Sequence, residues 1–201
     1  MKYLLIFVAS IVVAAAAHSW RARSILLDGY NIKPMTWRGS VKEGGPEMTF
    51  HGTIEEVAAQ IRATEPPLTW SYIRDQHRAI RKRAEVPNIT CDAVDMNSGA
   101  PLSQAWKIRD NLVHAPGTCG VEGGPGVCSR ISCSGHAAAW LCNDNLSCIH
   151  PKCSDLAAHI DEIVDECQET NTGHSHRHGK TVSGQVANDD DYRVIVGYDD
   201  C

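Results

Sequence analysis

Nine cysteines, Cys91, Cys119, Cys128, Cys133, Cys142, Cys148, Cys153, Cys167 and Cys201, constrain this chain of 201 residues more than any other feature. None lies in the first 90 residues. Residues 84–201 therefore carry about one cysteine in thirteen, close to the density of a secreted disulfide scaffold. The Cys-x-x-Cys pairs of a zinc site are absent. An oxidising export route also leaves little room for a catalytic thiol. An odd count leaves at least one cysteine unpaired or bonded to another molecule.

The amino terminus supplies the export route. Lys2 is a short positive region, residues 3–13 are apolar, and Ala15, Ala16 and Ala17 offer a small-residue cleavage site before His18. The apolar run 3–17 is shorter than the roughly 20 residues that span a bilayer. The expectation is a signal peptide, residues 1–17, and a soluble, secreted, extracellular product. A second boundary follows at Arg81-Lys82-Arg83, just ahead of the first cysteine. Residues 1–83 hold 12 basic and 7 acidic residues, net +5, and residues 84–201 hold 7 basic and 17 acidic, net -10. Three coincident boundaries predict cleavage by a kexin-type protease after Lys82-Arg83. Residues 18–83 then form a removable propeptide and residues 84–201 the mature cysteine-rich domain. The overall formal charge of -5 argues against a nucleic-acid partner.

The propeptide still carries pattern. Met35-Thr36-Trp37 and Met48-Thr49-Phe50 alternate around Glu43-Gly44-Gly45, as a hairpin would. Thr53 and Glu56 form a capping box ahead of Val57, Ala58 and Ile61. A hairpin-helix unit follows, either shielding its acidic partner during folding or serving as a spacer.

In the mature segment, residues 101–112 and 154–167 have helical spacing, the second with Ser154 as cap. Residues 127–134, 136–143 and 192–196 read as strands. Gly123-Gly124-Pro125-Gly126 is a turn signal without phosphate-loop grammar. Cys153 and Cys167 bracket a helix of about 20 Å and cannot pair with each other. Cys128 and Cys133 lie about 16 Å apart on one strand, with the same consequence.

The order Cys91, helix, Cys119, Cys128, Cys133, strand, Cys148, Cys153-x-x-Leu156, helix, Cys167, terminal strand and Cys201 resembles the fungal virally encoded killer-toxin fold. Small secreted cysteine-rich effector candidates of filamentous fungi look similar in "CSRISCS", "AAAWLCNDN", "CSDLA" and "YRVIV", and in a propeptide like "MTWRG…GPEMTFHGTIEEV". The resemblance implies an α+β fold: a small disulfide-rich α/β sandwich, with an antiparallel sheet covered by two helices. It implies Cys91 with Cys167, Cys119 with Cys153, Cys133 with Cys201, and Cys128 with Cys142 or Cys148. Strand direction favours Cys142 for Cys128, since Cys142 and Trp140 share a face, and leaves Cys148 as the odd thiol. The killer-toxin frame points the other way, with a cysteine at 148 and none at 142. Channel block in that family depends on basic residues near the third and fourth frame cysteines. Here Arg130 is the sole base between Cys128 and Cys133.

Gly173-His174-Ser175-His176-Arg177-His178-Gly179 is the remaining unusual string. Extended, it places His174, His176 and His178 on one side, as a zinc or copper site would need. Its flanking glycines equally describe a surface loop that titrates near neutral pH. Asp189-Asp190-Asp191 and Asp199-Asp200 lack calcium-loop spacing and read as solvated turns. Asp161, Glu162, Asp165 and Glu166 read as an outer helix face. Ser134-Gly135-His136 places a hydroxyl beside a base, but no nucleophile elbow exists. Trp140 reads as core. Asn88-Ile89-Thr90 and Asn145-Leu146-Ser147 are glycan acceptors in an exported chain.

These residues lead to one expectation: a secreted, non-enzymatic, monomeric effector or killer-toxin-like protein. It would bind a protein or membrane target on a host or competitor cell and need no cofactor. The alternative is a secreted metal-binding protein using the histidine loop.

Overall fold

The computed structural model describes residues 27, 29–42, 44–64, 88–92, 99–169 and 180–201. In chain order the elements are β1 (Asn31–Ile32), β2 (Thr36–Gly39), β3 (Met48–His51), α1 (Ile54–Thr64), β4 (Asn88–Cys91), β5 (Ala100–Pro101), α2 (Leu102–Val113), β6 (Thr118–Gly120), β7 (Val127–Ser134), β8 (Ala137–Asn143), α3 (Cys153–Cys167), β9 (Gln168–Glu169), β10 (Thr181–Val182), β11 (Gly184–Asn188) and β12 (Tyr192–Tyr198). The fold class is α+β. Its main sheet has six strands in the order β1-β7-β8-β12-β11-β4, antiparallel except for the short parallel pair β1 and β7.

Strand β8, with sequence AAAWLCN, is buried along its whole length. Period-2 alternation sends Ala137, Ala139 and Leu141 into the main core, while Ala138, Trp140 and Cys142 enter a smaller cluster on the other face. Trp140 is thus core, on the face away from the helices. The helices α2 and α3 cover the first face. Helix α3 buries Cys153, Leu156, Ala157, Ile160, Ile163, Val164 and Cys167, a stripe at helical spacing. Helix α2 adds Ala105, Ile108 and Leu112. Arg109 Nε donates to Asp161 Oδ1 at 2.6 Å, joining the two helices.

Four disulfides staple these layers: Cys91–Cys167, Cys119–Cys153, Cys128–Cys142 and Cys133–Cys201. The first two pin the C-terminal end of α3 to β4 and its N-terminal end to β6. The third joins directly opposed residues of β7 and β8. The fourth ties the carboxy terminus to β7. Cys148 is free and exposed. Among the described residues, no helix is long and apolar enough to cross a membrane.

The upstream unit is a third helix with two hairpin strands, and it is built into the same fold. Thr53 N donates to Glu56 Oε2 at 2.7 Å, forming the capping box that opens α1. Strands β2 and β3 pair from Thr36↔His51 to Gly39↔Met48. β2 also pairs with β6, so a strand of residues 18–83 sits between β3 and a strand of residues 84–201. Met35, Trp37 and Val57 have no solvent exposure and belong to the main core with Ile108, Ile131 and Leu156.

Two local expectations are corrected. Ser154 does not cap α3: the helix starts one residue earlier, and Lys152 at the cap makes no side-chain bond. Tertiary anchors replace the cap. Cys119 N donates to Pro151 O at 2.9 Å and Cys153 N to Gly117 O at 3.2 Å, beside the Cys119–Cys153 bridge. The strand expected from residue 136 begins at Ala137, because Gly135 and His136 both have positive φ (51° and 68°) and form the two-residue hairpin turn.

Candidate functional site

The β7–β8 turn and the carboxy terminus meet at one end of the sheet. The Cys133–Cys201 bridge draws the tail across β7, and Asp199 N donates to His136 O. There the His136 and Tyr198 rings stack, with centroids 5.3 Å apart and planes 1° from parallel. His136 Nδ1 lies 3.3 Å from Asp200 Oδ1 and 3.3 Å from the Tyr198 hydroxyl. The side chains of His136 and Asp200 are 60% and 78% exposed, and Tyr198 is one of few large exposed hydrophobic residues among those described. Desolvation, followed by the charge of Asp200, raises the Tyr198 hydroxyl above its ordinary titration range. A flat aromatic pair with an imidazole and a carboxylate at its rim can stack on a partner surface and hydrogen-bond to it.

Arg130 lies immediately behind this patch. Its guanidinium sits 5.7 Å over the Trp140 ring, contacts Asp199 Oδ2 at 3.3 Å and donates to Asp200 O at 2.9 Å. Asp199 was expected in a solvated acidic turn and is instead 5% exposed. Burial raises its pKa even against the opposing charge of Arg130. The tail disulfide explains the difference, since it holds Asp199 against the sheet. The one base between Cys128 and Cys133 is therefore used internally and does not project outward.

Ser134 and His136 are not a catalytic pair. Ser134 Oγ donates to Gln104 Oε1 at 3.2 Å, while His136 turns to Asp200 and Tyr198. Of the acidic residues on α3, Asp165 and Glu166 are exposed, Asp161 pairs with Arg109, and Glu162 Oε2 is 3.0 Å from His159 Nδ1. Asn88 is exposed on the edge strand β4, open to a glycan. Asn145 is half-buried, and its Nδ2 donates to Asp190 O and Asp191 O at 2.8 and 3.2 Å. A glycan on that nitrogen would leave one hydrogen for the two acceptors.

Ala17, Lys82 and Arg83 lie outside the described residues, as do His174, His176 and His178. Among the described residues, no three His, Cys, Asp or Glu side chains gather as a metal ion requires. The His136–Tyr198–Asp200 patch was missed in the sequence because its members come from a turn and a tail 62 residues apart. Only the terminal Cys201 hinted that the tail is folded back. No protein family, no curated protein and no solved structure matches the chain.

Proposed function

We propose that this protein is a secreted, non-enzymatic effector or killer-toxin-like protein that binds a target on a host or competitor cell. The observation that carries the reading is the exposed, stacked patch of His136, Tyr198 and Asp200 on a domain stapled by four disulfides. A small α+β domain with this density of bridges is compatible with extracellular life. The target is a protein or membrane component met by stacking and hydrogen bonding. Block of a channel by projecting basic residues does not fit an Arg130 held by Asp199 and Trp140. Maturation removes the signal peptide after Ala17 and cuts the chain after Lys82-Arg83.

The test applies exported protein to plant tissue and to competing fungi. Wild type should give symptoms or growth inhibition. The His136→Ala/Tyr198→Ala double variant should lose the effect while melting within about 2 °C of wild type, because both side chains are exposed. An equal response from the double variant would remove the patch from the account. No response from either protein would overturn the functional reading. Edman sequencing of the exported protein should show a chain starting at Ala84.

A further inference from the structure

The upstream unit is held by the mature domain as a core element is held, and this bears on what cleavage does. Strand β2 pairs with β6 over Thr36↔Gly120, Trp37↔Cys119 and Arg38↔Thr118. Strand β1 adds to the outer edge of β7, where Asn31 N donates to Gly126 O at 2.8 Å and Lys33 N to Cys128 O at 2.9 Å. Trp37 is fully buried, and its Nε1 donates to Pro116 O at 2.7 Å. Gly117, at φ +80°, lies so close to Arg38 and Gly39 that a Cβ there would run into the Arg38 carbonyl. Helix α1 sends Glu55 into the domain, where its carboxylate accepts from Asn111 Nδ2 at 2.7 Å, from Cys133 N at 3.2 Å and from Ser132 Oγ.

Leaving would therefore unpair two strand edges, strip apolar surface from a shared core and orphan the donors around Glu55. No cysteine precedes residue 91, so no disulfide can tie the two pieces. We propose that residues 27–64 remain bound after cleavage as a permanent noncovalent second chain, and that the working protein is a two-chain 1:1 complex. The inference rests on the proposed cut after Arg83. It does not require release for target contact, because His136 and Tyr198 are exposed with the upstream unit in place.

The experiment uses the full chain with Lys82-Arg83 replaced by the recognition sequence of a specific protease, exported uncut and then cut in vitro. Native mass spectrometry and gel filtration should find both pieces in one 1:1 species, separable only in denaturant. A Glu55→Ala version, shown by circular dichroism to be folded before the cut, should release its upstream piece at about tenfold higher concentration or more. Release of the wild-type upstream piece in native buffer, with 84–201 still folded, would overturn the proposal. Equal retention of the wild-type and Glu55→Ala pieces would still support the two-chain complex, with the β1 and β2 pairings and buried Trp37 holding it in place of Glu55. Edman sequencing of the unaltered protein separately tests the natural cut. A sole start at His18 would sink the processing reading, while the engineered cut would still decide retention.

Discussion

Replacing Trp37 with Ala measures how far the upstream unit is part of the folded core. The indole is fully buried, lies 5.9 Å from the Phe50 ring and hydrogen-bonds to the Pro116 carbonyl. Truncating a buried Trp costs about 3–5 kcal/mol in transfer and cavity terms. The lost aromatic pair adds roughly 0.5–1.5 kcal/mol, and the lost hydrogen bond to the Pro116 carbonyl about 1 kcal/mol if water takes the indole's place. The sum is about 6 kcal/mol, a large part of the roughly 5–15 kcal/mol stability of a domain. At about 2–4 °C per kcal/mol for a chain of this size, the melting temperature should fall by roughly 12–24 °C. Trp37→Phe keeps most of the volume but not the donor and should cost about 1–2 kcal/mol. Thermal and guanidinium unfolding of the uncut chain, followed by far-ultraviolet circular dichroism, gives both values. A Trp37→Ala loss below about 1 kcal/mol, or a small early transition with the main one unmoved, would refute the shared core.

Three further outcomes follow from other parts of the molecule. Burial first, then the charges of Asp190, Asp155 and Glu162, raises the Tyr192 hydroxyl to about 12. The native state then holds this proton longer than the unfolded chain, so the stability it contributes is complete below about pH 10 and is lost as pH rises towards 12. Unfolding measured from pH 9 to 12 should show that slope in wild type, and an undiminished slope in Tyr192→Phe would contradict it. Asn88 on the exposed edge strand should carry a glycan in the exported protein, and Thr90→Ala should lower the intact mass by one glycan. Changing His174, His176 and His178 to Ala should leave melting temperature and target activity as they are, whereas loss of activity in the triple variant, with wild-type activity abolished by chelation and restored by zinc or copper, would revive the metal-binding alternative.

The parts of the fold legible in the sequence are those with strong local pattern. The start of β12 stands out as a β-branched run, β7 lies between the turn signals at residues 123–126 and Gly135, and the stripe Leu156, Ile160, Ile163, Val164 fixes α3. The edge strands β4 and β11 escape notice. Gly184–Asn188 contains a single β-branched residue, and Asn88–Cys91 reads first as a glycan acceptor. The upstream hairpin and capping box were legible, but their docking was not. Trp37 alternates like any half-buried strand residue, and the groups that meet it, the Pro116 carbonyl and strand β6, lie 79 residues or more further along the chain. The candidate site shows the same limit. Asp199-Asp200 looks like a solvated tail until the Cys133–Cys201 bridge places it beside Arg130.

Disulfide mapping of protein recovered from culture medium tests the four-bridge scaffold and its proposed export most directly. Alkylation without reduction, followed by digestion and mass spectrometry, should label Cys148 alone and recover Cys91–Cys167, Cys119–Cys153, Cys128–Cys142 and Cys133–Cys201 as linked peptides. Two or fewer bridges, a label on Cys142 with Cys128 joined to Cys148, or a protein found only inside the cells would contradict that scaffold or its export.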